Sequence, residues 1–89
     1  MKLESIILAF LAVRCPAAYT AEAIRDNINY SGRLDAPASA DEISTALGIL
    51  LRKGFVKSEV ELVGTRIYWN ATPEGVQAWD ASGRPYVGR

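Results

Sequence analysis

Leu3, Ile6, Ile7, Phe10 and Leu11 recur at intervals of three and four residues, the apolar stripe of an amphipathic helix. Pro16 stops that pattern, because proline has no N–H for the helical ladder and restricts the residue before it. The spacing therefore predicts a first helix over about 3–14. Thr20 then offers an N-cap hydroxyl, with Tyr19 before it and Ile24 after it at the spacing of a hydrophobic staple. Ile24 and Ile28 share one face of a short second helix, about 21–29, which Ser31-Gly32 ends. A polar linker runs from Arg33 to Ala38. Ser39-Ala40-Asp41-Glu42 is a capping-box sequence, and after it Ile43, Ala46, Leu47 and Leu50 fall on one face of a third helix. Arg52 and Lys53 suit its C-terminal dipole and Gly54 its left-handed terminator, so it spans about 40–53.

The period then changes from near 3.6 to 2. Between Phe55 and Leu62, Val56, Ser58, Val60 and Leu62 point one way and Lys57, Glu59 and Glu61 the other. Val63-Gly64-Thr65 supplies a turn. From Arg66 to Asn70, Ile67 and Trp69 oppose Arg66, Tyr68 and Asn70. Two such strands around a glycine predict a hairpin. Thr72-Pro73 reads as N-cap followed by proline at the first helical position, and Val76 and Trp79 give a short fourth helix its apolar face. The expected class is α+β, a three-helix core with a C-terminal hairpin and a short fourth helix. Residues 1–79 are expected to form one domain and the polar residues 80–89 a flexible tail.

Composition narrows the function. The 89 residues are 49% hydrophobic and 22% charged, the balance of a globular domain with one small core. Histidine is absent and Cys15 is the one cysteine. That removes the commonest general base, Ser-His and Cys-His nucleophile pairs, zinc-finger ligand sets and an internal disulfide. No cofactor, metal or catalytic residue is expected, and Asp41-Glu42 is explained by capping. The longest apolar run, Ile6 to Val13, falls short of the roughly 20 residues of a membrane span. Glu4 and Arg14 flank it unlike a secretory signal, so the expected location is the cytoplasm and no membrane partner is expected.

Three segments resemble winged helix-turn-helix DNA-binding domains of small bacterial, archaeal and phage transcription regulators. Tyr19-Thr20-Ala21-Glu22-Ala23-Ile24 resembles the start of that family's second helix. Ile43 to Val56, with Ser44, Ala46 and Leu47 leading into Lys53-Gly54-Phe55-Val56, resembles its recognition helix and exit. Tyr68-Trp69-Asn70-Ala71-Thr72-Pro73-Glu74-Gly75 resembles the second wing strand and the turn after it. The resemblance covers about residues 3–79 and implies a sequence-specific DNA-binding transcription regulator, with the third helix in the major groove and the hairpin on the backbone.

The physics of the third helix agrees. At 100° per residue its outer face holds Asp41, Ser44, Thr45, Gly48, Ile49 and Arg52, and a helix 10–12 Å wide fits a major groove about 12 Å wide. Ser44, Thr45 and Arg52 are the candidate contacts to bases or phosphates, and Lys57, Thr65 and Arg66 the candidate phosphate contacts of the hairpin. The outer face is nevertheless poor in bases and the net charge is zero, whereas DNA affinity rests mainly on phosphate neutralisation. Charge is unevenly spread: residues 1–51 hold four bases and six acids, residues 52–89 six bases and four acids. A second reading therefore stands beside the first, a winged-helix module that binds a protein partner and no DNA. Exposed Ile49 and Leu51 would suit it. In either case a homodimer is an expectation, with the first and fourth helices as its surfaces. Tyr68 and Trp69 read as hairpin packing or as stacking platforms for bases, and Cys15 as a semi-buried helix-end residue. Arg84 and Arg89 read as a basic arm or as solvated tail residues.

Overall fold

A computed structural model describes residues 2–86 of the chain. Residues 87–89 of the expected tail, Arg89 included, lie outside the described residues. The elements run α1 (Lys2–Val13), β1 (Tyr19–Thr20), α2 (Ala21–Ser31), α3 (Ala40–Arg52), β2 (Val56–Val60), β3 (Ile67–Ala71) and α4 (Pro73–Ala81).

α1 carries more than a stripe. Leu8, Ala9 and Ala12 are apolar as well as the periodic positions, and everything from Ile6 to Ala12 is buried. A helix apolar all round belongs inside, and α1 is the axle on which α2, α3, α4 and β3 pack. Ile7 and Leu11 are completely buried, as are Ile24 of α2 and Ile43 and Leu47 of α3. The chain's own elements cover the apolar positions of α1 from Ile6 to Ala12, which leaves Val13, 46% exposed, as the open apolar position at its end.

Local chemistry sets the helix ends. The Thr20 hydroxyl accepts from the Ala23 N–H at 3.1 Å, and Gly32 closes α2 in the left-handed region at φ 73°. At Ser39 the capping box is complete: its hydroxyl accepts from the Glu42 N–H at 3.2 Å and its own N–H donates to Glu42 Oε1 at 2.8 Å. α3 ends with the Phe55 N–H on the Leu50 carbonyl and the Gly54 N–H on that of Leu51, the double bond of a Schellman motif. The linker is ordered from within. The Asn29 side chain donates to the Ala38 carbonyl at 3.1 Å and accepts from the Ala38 N–H at 2.9 Å, which seats Ala38 in the core beside half-buried Leu34.

The hairpin pairs Val56 with Ala71, Ser58 with Trp69 and Val60 with Ile67. Two features differ from the sequence expectation. First, the sheet has three strands in the order β1-β3-β2, because Tyr19 pairs with Trp69 and Thr20 with Tyr68. Tyr19 is seated there by an edge-on contact with the Phe10 ring, centroids 5.1 Å apart. Second, the alternation of β2 buries only Val56. The hairpin runs out past the core, so Val60 keeps the predicted phase but faces water; β2 ends there, and exposed Leu62 lies in the turn beyond it.

α4 begins as expected, with the Thr72 hydroxyl accepting from the Gly75 N–H at 3.0 Å and Pro73 at the first turn. It buries Trp79, whose Nε1–H donates to the Pro85 carbonyl at 2.9 Å. Tyr86 packs on the core beneath the Arg33 guanidinium. Cys15 is exposed where a semi-buried position was expected, with its Sγ 3.7 Å from the Ala71 carbonyl oxygen. Among the described residues, no helix is long and apolar enough to cross a membrane.

Candidate nucleic-acid interface

With Ile43, Ala46, Leu47 and Leu50 turned inward, helical geometry turns Ser44 and Thr45 outward, and both are exposed, as are Asp41 and Arg52. Gly48 and Ile49 are half-buried, so Ile49 is less free than its place on the outer face suggested. Arg52 reaches back along the helix, its Nη1 4.0 Å from where a Cβ on Gly48 would stand. Leu51 is 43% exposed and is not sealed against the hairpin.

The β1–β3 pairing decides what stands next to α3. By joining Thr20 to Tyr68 it sets the first turn of α2 against the hairpin. A groove of about 640 Å³ opens there, lined by Thr20, Ala21 and Glu22 of that turn, Ser44 of α3, and Thr65, Arg66, Ile67 and Trp69 of the hairpin. Ser44, Thr65 and Arg66 are thus brought together from distant parts of the chain. Thr45, Arg52 and Lys57 are exposed but do not line the groove.

Its chemistry is that of a donor surface with one acid in it. The Ser44 and Thr65 hydroxyls and the Arg66 guanidinium are donors suited to phosphate oxygens. Glu22 is the one carboxylate in the lining. In the sequence Glu22 reads only as part of the second helix's start. The signal that could have flagged it is its place in the N-terminal turn, where an acid offsets the helix dipole. Thr20 is already engaged as a cap. Trp69 is half-buried and packs against the core while also lining the groove, and the Tyr68 hydroxyl donates to Glu61 Oε2 at 3.1 Å. Both aromatics therefore serve the hairpin's own packing.

No protein-family model matches the chain, and no curated protein matches it. Solved structures do. A transcriptional regulator from Clostridium thermocellum superposes with a TM-score of 0.74 at 20% identity, covering 91% of this chain and 77% of that one. Bacillus subtilis PadR, solved in complex with operator DNA, superposes with a TM-score of 0.77 at 17% identity over 100% of this chain and 50% of its own. A MepR mutant from multidrug resistant S. aureus gives 0.75 at 17% identity over 100% of this chain and 58% of its own. The chain has the winged helix-turn-helix fold. Within it α2 and α3 are the helix pair, β2 and β3 the wing, and β1 the short strand that ties the helix pair to the wing. The chain spans about half the length of PadR. At these identities the likeness is one of fold.

Proposed function

We propose that this winged-helix domain is a cytoplasmic, sequence-specific, DNA-binding transcription regulator without catalytic activity. α3 enters the major groove through Ser44 and Thr45, Arg52 reaches a base or phosphate at its far end, and Lys57, Thr65 and Arg66 of the wing engage the backbone alongside. One observation carries the reading. The outward face of α3 at Ser44 opens onto the same groove as Thr65 and Arg66, so one duplex edge can meet helix and wing together. The fold shared with PadR, which was solved on operator DNA, supports it.

Two copies working as a pair would read two half-sites about 34–36 Å apart. α1 and α4 are the pair's candidate surfaces, α4 the freer of the two because Ile6 to Ala12 of α1 are spent on the core. The deciding experiment is titration of a mixed-sequence duplex at low salt, read by fluorescence anisotropy. Saturable binding at micromolar protein that weakens steeply with salt is expected. No binding at that concentration would overturn the reading in favour of a protein-binding module.

A further inference from the structure

A second cavity, of about 400 Å³, lies between α1 and α2 and shares no lining residue with the groove beside α3. That volume is in the range of small-molecule sites. Its floor is apolar and buried, formed by Ile6, Ala9 and Phe10 of α1 and Ile28 of α2. Its more exposed lining is cationic and aromatic: Arg14, Arg33 and Tyr86. Among the described residues, no carboxylate lines it. Tyr86 is set in place by the segment after α4. The Trp79 Nε1–H donates to the Pro85 carbonyl at 2.9 Å, and Tyr86 packs on the core with the Arg33 guanidinium 5.6 Å from its ring centre. Its φ of 60° is left-handed, a conformation that a tyrosine keeps only where its surroundings hold it. The Tyr86 wall is therefore a built part of the cavity.

The polar groups of the lining decide what the cavity can hold. The Asn27 amide donates to the Ala23 carbonyl at 2.8 Å and the Ser31 hydroxyl to the Ile28 carbonyl at 2.6 Å, so both are engaged within α2. The strongest donors left are guanidinium N–H groups. The Arg14 guanidinium stands 4.0 Å from the centre of the Phe10 ring, and its Nη1 donates to the Phe10 carbonyl at 3.1 Å. Ring and carbonyl orient it in advance, which lowers the entropy lost on binding, and its other N–H groups are left to a ligand. We propose that this cavity binds an amphipathic organic anion, its hydrocarbon body on Ile6, Ala9, Phe10 and Ile28 and its anionic head on Arg14 and Arg33. A cation would meet like charge, and a wholly polar solute would bury its hydroxyls against hydrocarbon. Carboxylate and phosphate heads carry the same chemistry here, since guanidinium groups pair with either. The site stands whether or not the domain binds DNA.

The test is a titration of the whole chain with anilinonaphthalene sulfonate, an aryl body bearing one anionic head, read by its gain in fluorescence. Saturable binding at micromolar concentration is expected. Octanoate, octyl phosphate or both should displace the probe, with octanol about tenfold weaker, the worth of one charge-assisted hydrogen bond. Octanoate should also raise the parent's melting temperature, since a ligand of the folded state stabilises it by mass action. Arg14 is exposed, so Arg14→Gln keeps the fold and should weaken probe and octanoate about tenfold; Arg33→Gln provides a second reading. Arg25→Gln makes the same change of net charge outside the lining and should bind like the parent. No saturable binding, displacement by octanol as readily as by octanoate, or equal weakening by Arg14→Gln and Arg25→Gln each overturns the proposal.

Discussion

Gly75 meets Phe55 backbone to backbone: a Cβ on Gly75 would overlap the Phe55 carbonyl oxygen. That oxygen also accepts from the Thr72 N–H at 3.0 Å, while the Thr72 hydroxyl donates to the Gly54 carbonyl at 2.6 Å. The exit of α3, the root of the wing and the start of α4 are therefore locked at one point. Gly75→Ala should destabilise the domain by about 1–3 kcal/mol through overpacking, against the roughly 1 kcal/mol that alanine would gain in an unobstructed helix. A fall in the urea midpoint at constant slope is the expected result, and an unchanged midpoint would show that the corner yields.

The linker predicts a different kind of loss. Asn29 satisfies both backbone groups of Ala38, so Asn29→Ala removes two hydrogen bonds and strands a half-buried N–H and C=O, at about 1–3 kcal/mol. The damage should be local. Hydrogen exchange is expected to quicken at Ala38 and through the residues leading to the Ser39 cap, with α1 still protected. Uniform loss across the chain would mean that the linker is part of the global unfolding unit.

What was readable from the residues follows the range of the interactions. The Ser39–Glu42 box, the Gly54 terminator and the Thr72 cap each close within a few residues, so their chemistry stands in the sequence. β1 does not: Tyr19 and Thr20 form a two-residue strand only because β3 lies alongside, and no periodicity exists over two positions. The groove is no more legible, since Glu22 and Arg66 line one surface only after β1 has docked. Ser44, Thr65 and Arg66 are candidates from helical phase and turn position, which are local. Val56, Ser58 and Val60 alternate through β2 as their pattern predicts, while Leu62 lies in the turn beyond the strand; alternation says which residues share a face, not whether anything covers it.

Glu22 and Arg66 share the groove and should act on binding with opposite sign. Arg66→Ala should weaken every duplex alike and flatten the salt slope by about 0.9, the signature of one lost phosphate contact. Glu22→Gln should tighten binding about two- to fivefold by removing a like charge from the phosphate path, an effect bounded by the modest worth of exposed charges. Anisotropy titrations between 50 and 200 mM salt separate the two. If neither substitution moves affinity while the parent binds, the duplex lies elsewhere on the surface.

Gly48 offers the sharpest division between stability and binding. It sits in the interior of α3, where glycine costs about 1 kcal/mol relative to alanine, and its own chain does not require it. An added Cβ meets only the Arg52 guanidinium, at an ordinary 4.0 Å. Gly48→Ala should therefore raise the urea midpoint by an amount equivalent to about 0.5–1 kcal/mol. If α3 lies against bases on this face, the same methyl fills the space into which the duplex packs, and affinity should fall while the fold becomes more stable. A more stable variant that binds as tightly as its parent would mean that Gly48 is an unconstrained surface position. It would also move the contact face of α3 toward Ser44 and Thr45, away from Gly48 and Arg52.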